Sequence, residues 1–88
     1  MLGSLHIYNT DLSFGSTGLD VEALQMFLIG KSTGPAAQAL AVRGVTGIFG
    51  ALTQAALAEY QNSAGISPAN GVFDAATRAV LNAMHAGF

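Results

Sequence analysis

Between residues 19 and 29 the apolar side chains Val21, Leu24, Phe27 and Leu28 recur at spacings of three and four, which puts them on one face of an α-helix. Asp20 and Glu22 fall in its first turn, where negative charge favours the helix dipole, and Gly30 predicts its end. A second, shorter helix is predicted over residues 36–43, with Pro35 at the first helical position and Gly44 just past the end. The third is predicted over residues 51–64, with Thr53, Leu57, Tyr60 and Ala64 on one face and Gly65-Ile66 as a closing cap. The fourth is predicted over residues 75–86, with Asp74 as N-cap and Thr77, Val80, Leu81 and Met84 facing inward. The preceding residues 1–18 alternate Gly, Ser, Thr and Asn with scattered anchors (Leu5, Ile7, Tyr8, Leu12, Phe14). They read as an extended lead-in, loose over its first half dozen residues. The pattern predicts an all-α fold: a compact bundle of three main short helices, plus one extra short helix in the loop after the first. Strand content is expected to be negligible, at most a short extended pair around Ile48-Phe49 and Val72-Phe73.

A motif occurs twice. Gly47-Ile48-Phe49-Gly50-Ala51-Leu52-Thr53-Gln54-Ala55-Ala56-Leu57 is matched by Gly71-Val72-Phe73-Asp74-Ala75-Ala76-Thr77-Arg78-Ala79-Val80-Leu81, with glycine, aromatic, threonine and leucine at fixed offsets. A glycine turn feeding an aromatic and then a helix is a repeated structural unit rather than a catalytic motif. Phe49 and Phe73 are expected to plug the core beneath the helix starts.

The 88 residues form one domain, with residues 1–7 as a flexible lead-in, or residues foreign to the domain, and 8–88 as its body. Hydrophobic residues make up 51% of the chain and charged ones only 9%. The charge-free stretch over residues 44–58 nevertheless carries three glycines, two threonines and a glutamine, so no transmembrane helix and no membrane insertion are predicted. The net charge is −2, and the only fixed cations are Lys31, Arg43 and Arg78, which excludes nucleic acid as a partner. A nearly uncharged surface suits a sugar, a peptide or another protein. The absence of cysteine excludes disulfides and thiolate chemistry and leaves the compartment open. The first residues lack the basic start and apolar run of a signal peptide.

Catalytic chemistry finds no support. His6 and His85 lie near opposite ends without a local metal-binding partner, so neither metal nor cofactor is expected. Asp20 and Asp74 read as helix-start residues, Glu59 lies off the inner face of its helix, and no serine has a histidine and acid context. The chain reads as no enzyme.

A longer set of positions follows in order along the chain: Asp11-Leu12, Gly15, Gly18, Asp20-Val21, Leu24-Gln25, then Gly47-x-Phe49-Gly50-x-x-Thr53, Tyr60-Gln61, Gly65-Ile66, Gly71, Asp74-x-x-Thr77 and Leu81. This set resembles the peptidoglycan-binding domain family, small helical modules attached to bacterial cell-wall hydrolases and envelope proteins. The likeness runs over roughly residues 8–84. One departure lies between Leu28 and Gly47, where the segment carrying Pro35 is longer than the loop of the family's commonest members. The fold also resembles the pro-segment of matrix metalloproteinases, but without cysteine that inhibitory role is excluded.

The resemblance implies non-catalytic binding of peptidoglycan, through glycan strand or stem peptide, which targets a linked enzyme or envelope protein to the cell wall. It further implies an extracytoplasmic setting, in periplasm or cell wall, with the export signal and any linked catalytic domain outside this chain. The expected site is a shallow groove beside the third helix. There the turn of Gly47, Phe49 and Gly50 allows close backbone approach, Thr53 and Gln61 hydrogen-bond, and Tyr60 forms an apolar wall. Two helix N-termini facing one side would suit a stem-peptide carboxylate, with Arg78 as the fixed cation. For Gln25 and Gln61 a buried amide tying loop backbone comes first, and ligand contact second. The alternative is a protein-interaction or assembly module on the same fold, suggested by the high apolar fraction.

Overall fold

The computed structural model describes residues 7–86, with side chains as far as Met84. Four helices follow one another: α1 (Leu19–Lys31), α2 (Pro35–Arg43), α3 (Ala51–Ala64) and α4 (Ala75–Ala86). No strand occurs among the described residues, and the architecture is the all-α bundle expected, with α2 as the extra helix after α1. Helices α2, α3 and α4 have the bounds their caps predict: Pro35 opens α2, Gly44 follows it, and Gly65 ends α3 in the left-handed region at φ 75°.

Helix α1 runs further than Gly30 suggested. It continues to Lys31 and ends on Ser32, whose left-handed φ of 50° lets its N–H reach the Leu28 carbonyl. A glycine within a helix weakens it but does not by itself stop it, and in this last turn the Lys31 ammonium lies 5.8 Å from the Phe27 ring.

The core gathers Val21, Leu24 and Leu28 of α1, Leu40 of α2, Leu57 and Tyr60 of α3, Leu81 of α4, and the two turn phenylalanines. Phe49 and Phe73 are both fully buried, so the repeated aromatic is a core plug in each copy. Burial of each such side chain contributes about 1.5–3 kcal/mol. Phe27 meets Tyr60 edge to face at 5.1 Å, and Tyr8 meets Phe73 likewise at 4.8 Å. Ala64 and Met84, expected inward, are exposed. Gly65 turns the chain so that Ile66 covers the end of α3 instead, and beyond Leu81 helix α4 runs past the core cluster.

The lead-in is integral to the fold. Leu12 exchanges two backbone hydrogen bonds with Phe73 (2.9 and 2.8 Å), while Gly15 and Ser16 bond Phe49 (2.8 and 2.9 Å) and Gly18 bonds Gly47 (3.0 Å). Ile48-Phe49 and Val72-Phe73 therefore pair with the lead-in at isolated bridges and not with one another. Of the expected anchors, Tyr8 and Leu12 are buried, Ile7 and Phe14 are exposed, and Leu5 lies outside the described residues, as does the segment expected to be loose.

Candidate functional site

Each copy of the repeat is held by a glutamine from an earlier helix, Gln25 of α1 for the first and Gln61 of α3 for the second. In the first copy, the Gln25 Oε1 accepts from the Thr46 N–H (3.0 Å) and the Gly47 N–H (2.9 Å). Its Nε2 donates to the Ile48 carbonyl at 3.0 Å and to Thr53 Oγ1 at 2.9 Å, with Thr46 Oγ1 at 3.3 Å. In the second copy, Gln61 Oε1 accepts from the Gly71 N–H (2.9 Å), and Nε2 donates to the Val72 carbonyl (2.9 Å) and Thr77 Oγ1 (2.8 Å). The two threonines are thus acceptors for a buried carboxamide. No buried polar side-chain atom among the described residues lacks a partner, as a small core requires.

Both turns need their glycine. Gly47 and Gly71 have φ of 78° and 75°, and a Cβ at Gly71 would lie 2.7 Å from the Gln54 carbonyl oxygen. The turns differ three residues after that glycine, at Gly50 and Asp74. Asp74 supplies a carboxylate to the start of α4, where its Oδ1 accepts from the Thr77 N–H at 3.4 Å. Gly50, at the matching place, offers none, and α3 has neither a side-chain cap nor an acidic residue in its first turn. The first intrahelical bond there is Gln54 N–H to the Gly50 carbonyl (2.9 Å), so the amides of Ala51, Leu52 and Thr53 precede it.

The residues that carry those amides border a shallow cleft of about 110 Å³ between α2 and the start of α3. Arg43, Thr46, Ile48, Gly50 and Leu52 line it, over a floor that includes Gln25, Leu40 and Thr53. Arg43 and Ile48 are exposed, so the cleft offers a cation, a hydroxyl and an apolar rim beside the uncapped start of α3. The α2 wall is fastened from α3, because the Glu59 carboxylate accepts from the Ala36 and Ala37 amides, both at 3.0 Å. A Cβ on Gly34 would come within 2.6 Å of that carboxylate.

Of the residues expected to meet a ligand, Gly50 and Thr53 line the cleft, and Gly47 and Phe49 belong to the turn that forms its wall. Tyr60, packed on Phe27, and Gln61, beneath the second turn, are buried and do not line it. Arg78 stands on α4, where its guanidinium pairs with the Asp11 carboxylate. Arg43, Thr46, Ile48 and Leu52 were not singled out by sequence reasoning. The signal available was the contrast of Gly50 with Asp74 inside the repeat. Burial, and secondarily the Asp20 carboxylate, push the Tyr8 phenol up to about 12, and burial raises that of Tyr60. No cluster able to hold a metal occurs among the described residues. His6 and the His85 side chain lie outside them.

The family model described as a peptidoglycan binding domain matches residues 17–81. No curated protein and no solved structure matches the chain.

Proposed function

The chain belongs to the peptidoglycan-binding domain family, and from that premise we propose that it grips the wall polymer in the cleft between α2 and the start of α3. The family assignment indicates peptidoglycan binding, and a domain of this family is in general not catalytic. The observation that carries the location is the contrast between the two turns. The second helix start of the repeat is covered by Asp74, while the first stands open beside Arg43.

A stem peptide presents carboxylates and alanine methyl groups. A carboxylate seated at the start of α3 would accept from backbone amides at the positive end of the helix, with Arg43 as its counter-charge. Ile48 and Leu52 would take the methyl groups, and Thr46 would hydrogen-bond the peptide. Thr53 closes the floor, and Gly47, Phe49 and Gly50 keep the turn close to the ligand. Affinity for one site is weak, and retention comes from the many sites along the polymer. In this reading the domain holds a linked enzyme or envelope protein at the cell wall, outside the cytoplasm.

Co-sedimentation with insoluble peptidoglycan sacculi tests it. The wild-type chain pellets saturably as a folded monomer, and Arg43→Ala and Ile48→Ser each weaken pelleting while leaving the melting transition in place. Exposed Val42, Val45 and Ile48 favour an assembly module as the second reading. A concentration-dependent mass, with no pelleting, would establish that one instead.

A further inference from the structure

We propose that Gln25 is the positioning residue of this cleft, a role its counterpart Gln61 does not share. The inference rests on the cleft reading above. Gln25 belongs to the cleft floor itself but is only 1% exposed, so it offers little to a ligand directly. Yet its carboxamide bonds Thr46, Gly47, Ile48 and Thr53, and three of these four line the cleft. Two N–H groups converge on Oε1 while a carbonyl and two hydroxyls surround Nε2, so the amide has one orientation that satisfies its neighbours.

That orientation fixes the wall. The turn peptide from Thr46 to Ile48 is held from beneath by Oε1 and Nε2, and the bond to Thr53 ties it to the first turn of α3. Without the carboxamide, the turn and the helix start are free to shift relative to each other. The Ile48 side chain, the Thr46 hydroxyl and the Gly50 edge then lose their common geometry. A binding site needs its contact residues held to within about half an ångström by a supporting layer. Gln61 makes the same kinds of bond to the second turn, but none of its partners lines the cleft. The repeat thus contains its own control: equal chemistry, one copy beneath a site and one not.

The experiment compares Gln25→Met with Gln61→Met in the full chain, near-isosteric changes that remove the hydrogen bonds. Three quantities are read: thermal midpoint, amide exchange at Gly47 and Gly71, and binding to sacculi at a temperature where both variants are folded. Both should melt earlier, each should lose protection at its own glycine, and only Gln25→Met should bind weaker, by about tenfold or more. Equal weakening in both, or wild-type binding in Gln25→Met, overturns the inference. Should Gln25→Met not fold, the gentler pair Thr53→Val and Thr77→Val decides it: a selective loss in Thr53→Val supports the inference, and equal binding overturns it. Lost binding in Arg43→Ala and Ile48→Ser together with normal binding in Gln25→Met would overturn the inference alone. Normal binding in those two cleft variants would overturn the cleft reading and the inference with it.

Discussion

Gly50 has an ordinary backbone conformation, with φ −113°, and a Cβ there meets nothing within 4 Å. A side chain can therefore be added without strain, and aspartate would recreate at α3 the cap that Asp74 provides at α4. Gly50→Asp is expected to raise stability by up to about 0.5 kcal/mol in denaturant titration, since Gly is already a fair N-cap. It is expected to weaken sacculus pelleting, because its carboxylate competes for the amides of the cleft. Unchanged pelleting would show that the polymer does not use the start of α3. Tyr8 carries a second residue-scale consequence. Its folded-state pKa is raised to about 12 from an ordinary value of 10.0, so the neutral phenol is favoured by folding. The stability this contributes is whole below pH 10 and is lost as the pH climbs towards 12, about 2–3 kcal/mol across that window. A series of thermal midpoints from pH 8 to 12 should be flat and then fall, and Tyr8→Phe should flatten much of the fall.

At the scale of elements, α2 depends on a single side chain of α3 for its beginning. Glu59 accepts two amide hydrogen bonds and brings negative charge to the positive end of a helix that has no acidic residue in its own first turn. Gln in its place retains one acceptor oxygen and no charge. Glu59→Gln is expected to cost about 1 kcal/mol, with amide exchange quickened at Ala36 and Ala37, and to weaken pelleting because α2 forms one side of the cleft. Helix existence was legible in the sequence because Pro35, Gly44, Gly65 and Asp74 punctuate it by local chemistry. The Glu59 contact was not, since it joins residues 23 apart that no local pattern relates. The glutamine clamps were half legible. Gln61 lies 10 residues before its turn glycine, whereas Gln25 lies 22 before its own because α2 intervenes. The insertion breaks the spacing while leaving the chemistry intact.

The whole molecule is closed by a segment that precedes the family match. Residues 8–16 bury Tyr8 and Leu12, pair with Phe49 and Phe73, and join α4 through Asn82, whose amide bonds both the N–H and the carbonyl of Tyr8. A chain beginning at residue 17 loses two buried side chains, about 1.5–3 kcal/mol each, and leaves the edges of both turns unpaired. Against a typical domain stability of about 5–15 kcal/mol, calorimetry should show a much lower and broader transition, or none. An unchanged transition would mean that the lead-in contributes little. The pair of Asp11 in this segment with Arg78 of α4 is a partly exposed contact and adds little by comparison.

The sequence by itself determined the four helices, the caps of α2, α3 and α4, the glycine turns and the buried role of the repeated phenylalanines, because periodicity, φ preference and hydrophobicity act over a few residues. It also carried the family, through the order of its motif positions. Tertiary structure decided which polar residues face solvent wherever the partners are far apart in the chain. Thr53 and Gln61 have the chemistry of ligand contacts, but carboxamide, hydroxyl and turn amides satisfy one another when packing brings them together, and Arg78 meets Asp11. The open cleft arises where that mutual satisfaction stops, at a helix start whose neighbours in the chain are glycine and alanine and whose nearby cation, Arg43, arrives from another helix.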